Sequence, residues 1–129
     1  MSVFRILVVD DHELVRRGVC ALLGSRKDLN VIGEAVDGKE AILKTDSLHP
    51  DLVVMDVSMP GMDGVSAARE ILKLHPQLAI IILSMHDTRQ LIEGARQAGV
   101  RGYVSKSQVG STLLDAIDSV MGDRDFFPA

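Results

Sequence analysis

The chain has 129 residues, with 14 Lys and Arg against 18 Asp and Glu, so its formal charge is −4. A 47% hydrophobic and 25% charged composition is that of one globular domain and excludes disordered and collagen-like classes. No apolar run approaches the ~20 residues of a spanning helix and the N-terminus lacks a leader pattern, so a soluble, cytoplasmic protein without membrane contact is expected. The single cysteine, Cys20, cannot form an internal disulfide and reads as a small core thiol. The acidic balance, with no basic stripe carrying interleaved aromatics, argues against direct nucleic-acid binding by these residues.

Short apolar runs alternate with stretches of helical periodicity in chain order. Val3 to Val9 is the first run, followed by Leu14, Val15, Val19, Leu22 and Leu23 at helical spacing. Asn30 to Val36 precedes a helix marked by Ala41, Ile42 and Thr45, and Asp51 to Asp56 precedes one marked by Val65, Ala68, Ile71 and Leu72. Leu78 to Ser84 leads to Leu91, Ile92, Ala95 and Ala98 with Gly99 as a stop, and Arg101 to Ser105 leads to Leu113, Leu114, Ile117, Val120 and Met121. The runs are apolar throughout rather than alternating, as strands covered on both faces should be. Right-handed crossovers then predict an α/β, flavodoxin-like, doubly wound sheet of five parallel strands in the order 2-1-3-4-5 with five helices.

In such a sheet, ligands bind at the carboxyl ends of the strands where the order reverses, between the first and third strands. Asp10 and Asp11 follow the first, and Asp56 ends the third. Two carboxylates at ~4 Å and an effective dielectric of ~20 repel by about 4 kcal/mol, so the cluster calls for a hard cation. Magnesium suits it, since it binds through one or two carboxylates, a carbonyl and waters and leaves room for a phosphate oxygen. A blander account has Asp10 capping the first helix, Asp11 solvated and Asp56 merely closing a strand. Ser84 and Lys106 bring a hydroxyl and an ammonium to the same edge, although either alone reads as an ordinary strand-end or surface residue. Together they are what in-line phosphoryl transfer requires, with Asp56 as nucleophile. His12, beside the acid pair, reads as a helix-start surface residue, and Pro60, Gly61 and Gly64 as ordinary punctuation of a βα loop that enters a helix near Asp63.

Four segments, RILVVDDH, DLVVMDVSMPGMDG from Asp51 to Gly64, LSMHD around Ser84 and GYVSKS from Gly102 to Ser107, resemble a response-regulator receiver domain of two-component signalling, most closely the NarL/LuxR type. The resemblance implies that Asp56 takes phosphate from a sensor histidine kinase and that Asp10, Asp11, Asp56 and the Ser58 backbone carbonyl hold Mg2+. It also implies that Lys106 contacts the phosphoryl oxygens. Ser84 matches the family's hydroxyl switch, which gains a partner on phosphorylation, and Tyr103 the aromatic that then moves inward and alters the surface from Thr88 to Met121. Such a domain catalyses its own phosphorylation and dephosphorylation rather than turnover of an external substrate.

The resemblance further divides the chain into a receiver over 1–122 and a tail, or the start of an interdomain linker, over 123–129. Phosphorylation would then control homodimerisation and transcription, with DNA contacted only through a helix-turn-helix output domain absent from these residues. The alternatives are a stand-alone receiver acting through a protein partner, or an interaction module that is never phosphorylated. A haloacid-dehalogenase-type phosphatase would want a second aspartate where Ser58 stands, and a flavin phosphate would be repelled by Asp10 and Asp11. Two departures from the family pattern stand out. Ser107 replaces the proline that commonly follows the lysine, which leaves the local backbone open. Met85 is larger than usual and, with His86 and Ser58, is expected to tune dephosphorylation from one shared approach to Asp56.

Overall fold

The computed structural model describes residues 3–128. Strands β1 (Phe4–Val9), β2 (Leu29–Ala35), β3 (Leu52–Asp56), β4 (Ala79–Ser84) and β5 (Gly102–Ser105) alternate with helices α1 (Glu13–Gly24), α2 (Gly38–Leu48), α3 (Gly64–Leu74), α4 (Arg89–Gln97) and α5 (Val109–Met121). All pairings are parallel, and the sheet runs β2-β1-β3-β4-β5, the order expected from the sequence. Because successive strand residues face opposite sides, each strand feeds two cores. Ile6, Val8, Val54, Ile81 and Leu83 pack with Val19 and Leu23 of α1 and Leu113, Ile117 and Val120 of α5. Leu7, Val9, Val53, Met55, Ile80 and Ile82 pack on the other side with Ala41 of α2, Ala67, Ala68 and Ile71 of α3, and Ala95 of α4. The alanines bring these helices close to the sheet without displacing the strand side chains.

The helix starts follow local chemistry. Asp37, Asp63 and Thr88 cap α2, α3 and α4 by accepting from the amides of Glu40, Ser66 and Leu91. Gly99, at φ +94°, ends the α4 turn as its position suggested. In α1 Val19 and Leu23 are buried and Val15 is 37% exposed, but Leu14, 83% exposed, does not belong to that stripe. It lies on the opposite side of the helix from Leu23, on the outward face with the exposed Arg17, Gly18 and Ala21.

After α5 the chain turns back at Asp123, φ 63°, and runs along the outer edge of β5. The Phe126 amide donates to the Arg101 carbonyl (2.9 Å) and the Tyr103 amide donates to the Phe126 carbonyl (2.8 Å). Phe126 joins the α1–α5 core and Phe127 the opposite one, where the Arg96 guanidinium lies 4.2 Å over its ring. An edge strand exposes unpaired backbone groups, and this apolar pair covers them. Among the described residues no helix is long and apolar enough to cross a membrane.

Candidate functional site

The backbone brings three acids to the carboxyl edge of the sheet. The Asp10 amide donates to the Ala35 carbonyl (3.0 Å), fixing the exit of β1 against β2. Its side chain folds back to accept from the His12 amide (2.8 Å), so Asp10 secures the turn while His12 occupies the N-cap of α1. Asp56 closes β3, and its Oδ1 accepts from the Ser58 amide (3.2 Å). The next residue, Val57, is held from both sides: its amide donates to Leu83 (2.9 Å) and its carbonyl accepts from Gly64 (2.9 Å).

Lys106 opens a short 3-10 turn (Lys106–Gln108) between β5 and α5. All peptide bonds of the described residues are trans, so the chain passes Ser107 without a cis bond. The Lys106 ammonium reaches between the two inner acids, 3.1 Å from Asp10 Oδ2 and 3.0 Å from Asp56 Oδ2. Asp10 and Asp56 are buried, and the Lys106 side chain is only 9% exposed. Burial, reinforced by the Asp10 charge, raises the Asp56 carboxyl above the ordinary carboxylate range, although Lys106 and the Ser58 amide pull it down. Burial opposes the Lys106 charge, yet its contacts with Asp56 and Asp10 prevail and lift it above an ordinary lysine.

One ammonium does not satisfy this cluster. Asp10 Oδ2 and Asp56 Oδ2 share the Lys106 ammonium, and the buried Asp11 Oδ1 faces only His12 Nδ1, so three carboxylates stand against one fixed positive charge. Ligand atoms of Asp10, Asp11, His12 and Asp56 all lie within 4.8 Å of one another. Carboxylate oxygens of this number and spacing, in excess of the positive charge beside them, fit a hard divalent cation. His12 Nδ1 stands 3.2 Å from Asp11 Oδ1 on a 67% exposed side chain, closer to the cluster than its place in the sequence suggested.

Ser84 ends β4 at the same edge, fully buried. Its hydroxyl is not waiting for a partner, contrary to expectation: Oγ donates to the His86 carbonyl (2.6 Å) and accepts from the His86 amide (3.0 Å). Tyr103 already lies inward, 1% exposed, with its hydroxyl donating to the same carbonyl. Met85 and His86 do not share one approach. Consecutive residues leaving a strand diverge, so Met85, 68% exposed, borders an apolar groove beside Lys106, Val15 and Val109. His86 faces a hollow of about 730 Å³ with Ser58, Asp11, Met59 and Leu91.

One residue that sequence reading passed over as loop punctuation is decisive here. A Cβ on Gly64 would lie 2.2 Å from the Asp56 carbonyl oxygen and 2.9 Å from Val57 Cα, so only glycine lets α3 start against the end of β3. The signal was its position directly after the capping Asp63. Arg16 was also missed; its guanidinium donates to the Asp10 carbonyl (2.7 Å) and steadies the acid pair from α1.

Five parallel strands in this order, with three acids and a lysine at the carboxyl edge, define a receiver-type signalling domain. The family model "Response regulator receiver domain" matches residues 6–118, and the chain belongs to that family. It is 40% identical over 113 residues to the response regulator protein VraR of Staphylococcus epidermidis, a match covering 88% of this chain and 54% of the relative. The VraR protein of Staphylococcus saprophyticus is 35% identical over 125 residues, covering 97% of this chain and 60% of that protein. The chain thus spans little more than half the length of these curated relatives. Among solved structures, a LuxR-family two-component response regulator from Aurantimonas superposes with a TM-score of 0.94 at 36% identity, covering 98% of this chain and 90% of that one. The receiver domain of the putative response regulator NarL from Mycobacterium tuberculosis gives 0.82 at 31%, covering 92% and 98%.

Proposed function

We propose that Asp56 is the phosphoacceptor and that Mg2+ is held by Asp10, Asp11, Asp56 and the Ser58 backbone carbonyl. The observation that carries this reading is the Lys106 ammonium set between the buried Asp10 and Asp56, with Asp11 beside them, so that three carboxylates within ligand range of one another face one fixed positive charge. An Asp56 oxygen attacks the phosphorus of a phosphohistidine on a sensor histidine kinase; the O–P bond forms as the P–N bond breaks, and the imidazole leaves with the electron pair and takes a proton. Lys106 neutralises charge on the phosphoryl oxygens. The bound Mg2+ supplies further neutralisation at those oxygens. The Ser58 amide and the Val57 hydrogen bonds orient the acceptor.

Phosphorylation adds about −1.5 to −2 charge and three strong acceptor oxygens. Those oxygens compete for the Ser84 hydroxyl, which now shares the His86 carbonyl with Tyr103. The two hydroxyls therefore communicate through one backbone group, and a coupling of about 1–3 kcal/mol is typical of such switches. In this reading the altered face governs homodimerisation and the activity of an attached output domain. The solved RcsB–DNA complex, a relative of 26% identity and TM-score 0.91, supports a transcriptional output. The composition and fold suit the cytoplasm.

Incubation with Mg2+ and acetyl phosphate, followed by intact mass, is expected to show one phosphate-sized gain that needs both the metal and Asp56, with Asp56→Asn as control. No gain with any phosphodonor would leave an interaction module that works unphosphorylated. Met85→Ala is expected to change the acyl-phosphate lifetime severalfold, because Met85 and Lys106 line one groove beside the site. An unchanged lifetime would remove Met85 from the set that tunes dephosphorylation.

A further inference from the structure

At the opposite edge of the sheet, α2 and α3 end side by side with the same three residues, Leu48-His49-Pro50 and Leu74-His75-Pro76. Each histidine is the C-cap of its helix, and the two rings meet edge to face with centroids 6.2 Å apart. They border a hollow of about 440 Å³ together with Thr45 and Asp51. A histidine at a helix C-terminus is commonplace, since it complements the dipole. That account leaves two groups unexplained. His75 Nε2 is buried without a hydrogen-bond partner, and so is the hydroxyl of Thr45, a residue 1% exposed. The acid nearest His75, Asp46, holds its Oδ1 3.6 Å from Nε2, too far for a hydrogen bond.

That separation is the one a shared metal ion requires. Two donors bound tetrahedrally to zinc at about 2.0–2.1 Å each stand roughly 3.4 Å apart. We propose that His75 Nε2, the Asp46 carboxylate and the His49 imidazole form a second cation site, distinct from the acidic edge, for a borderline transition ion such as Zn2+. Two imidazoles on one tetrahedral ion place their centroids roughly 5 Å apart. The three donors are not within ligand range of one another as they stand, so binding requires the exposed His49 ring to turn toward His75 and close the present 6.2 Å, with Asp46, 72% exposed, adjusting beside it. Nitrogen donors favour zinc, nickel or copper over magnesium. The negative end of α3 also favours a cation. The nearby Arg5 does not occupy the position, because its guanidinium is spent on the carbonyls of Leu48 (2.8 Å) and His49 (2.6 Å). A bound ion would tie the end of α2 to that of α3.

The test is calorimetric titration of the full chain with zinc chloride in an Asp10→Asn, Asp11→Asn, His12→Gln background, which leaves Asp56 alone of the clustered donors at the acidic edge. One equivalent of zinc is expected to bind, with shifts of the His49 and His75 ring resonances. Adding His49→Gln or His75→Gln should weaken binding by at least about tenfold, since even outer-shell changes cost that much; His86→Gln should leave it unchanged. His49 is exposed, so its substitution reads the site without risk to the fold. No zinc uptake by the background chain, or uptake that survives both substitutions, overturns the proposal.

Discussion

Lys106→Met is expected to lower the stability of the metal-free chain by about 3–5 kcal/mol at neutral pH, because it strips the shared ammonium from two buried carboxylates. The loss should shrink on acidification. The Asp56 carboxyl is already raised by burial and by Asp10, and removal of Lys106 raises it further. A carboxyl whose folded pKa lies above its unfolded value gives stability that is full below the ordinary carboxylate range and is lost as pH climbs through the folded value. Urea unfolding at pH 4.5 and 7.5 should therefore show a larger gap between wild type and variant at the higher pH. Added Mg2+, under the proposed ligand set, should recover more stability in the variant than in wild type. A deficit equal at both pH values would mean that Lys106 contributes packing and not charge balance. Lys106 itself, raised above an ordinary lysine, stabilises the fold fully below its unfolded pKa of 10.5 and ceases to do so as alkaline pH passes its folded value.

Gly64→Ala should damage both the fold and the acceptor. A methyl group at this point would sit 2.2 Å from the Asp56 carbonyl oxygen, a backbone atom that cannot swing aside. Overpacking of this kind costs about 1–3 kcal/mol, and displacement of a reacting group by ~1 Å can cost 10²-fold in rate. The expected result is a lower urea midpoint together with a rate of mass gain from acetyl phosphate reduced by more than about tenfold. Gly61→Ala is the informative comparison. Gly61 has φ +79° and nothing within 4 Å of its missing Cβ, so alanine there costs about 1–2 kcal/mol of backbone strain and leaves Asp56 in place. Equal phosphorylation rates in the two variants would show that the close approach at Gly64 does not govern the acceptor.

These two glycines also show what a sequence discloses. Strand order, the acidic edge and the arrival of Lys106 follow from periodicity and the rule for doubly wound sheets, since apolar patterning is written residue by residue. The acids, the lysine and Ser84 were legible because their positions at strand ends determine where they go. Contacts made by backbone atoms are not written in residue type. Gly61 and Gly64 stand three positions apart in one loop, yet one faces open space and the other a carbonyl oxygen. The same limit hid the His86 carbonyl that receives both Ser84 and Tyr103. Apolar residue type placed Leu14 with the stripe of α1, whereas its place on the helix turns it to the outward face, where it is exposed. The pairing of Phe126 with β5 depends on an edge, a property of the assembled sheet and not of any segment.

That last pairing sets how the chain departs from the domain. Were the polypeptide to trail away from the end of α5, anything joined to it would hang on a swivel. Instead the final grip is at Phe126 and Phe127, with one ring anchored on each side of the sheet and the backbone bonded to the strand that carries Tyr103. The departure point and heading are thus fixed relative to the acidic edge of the sheet.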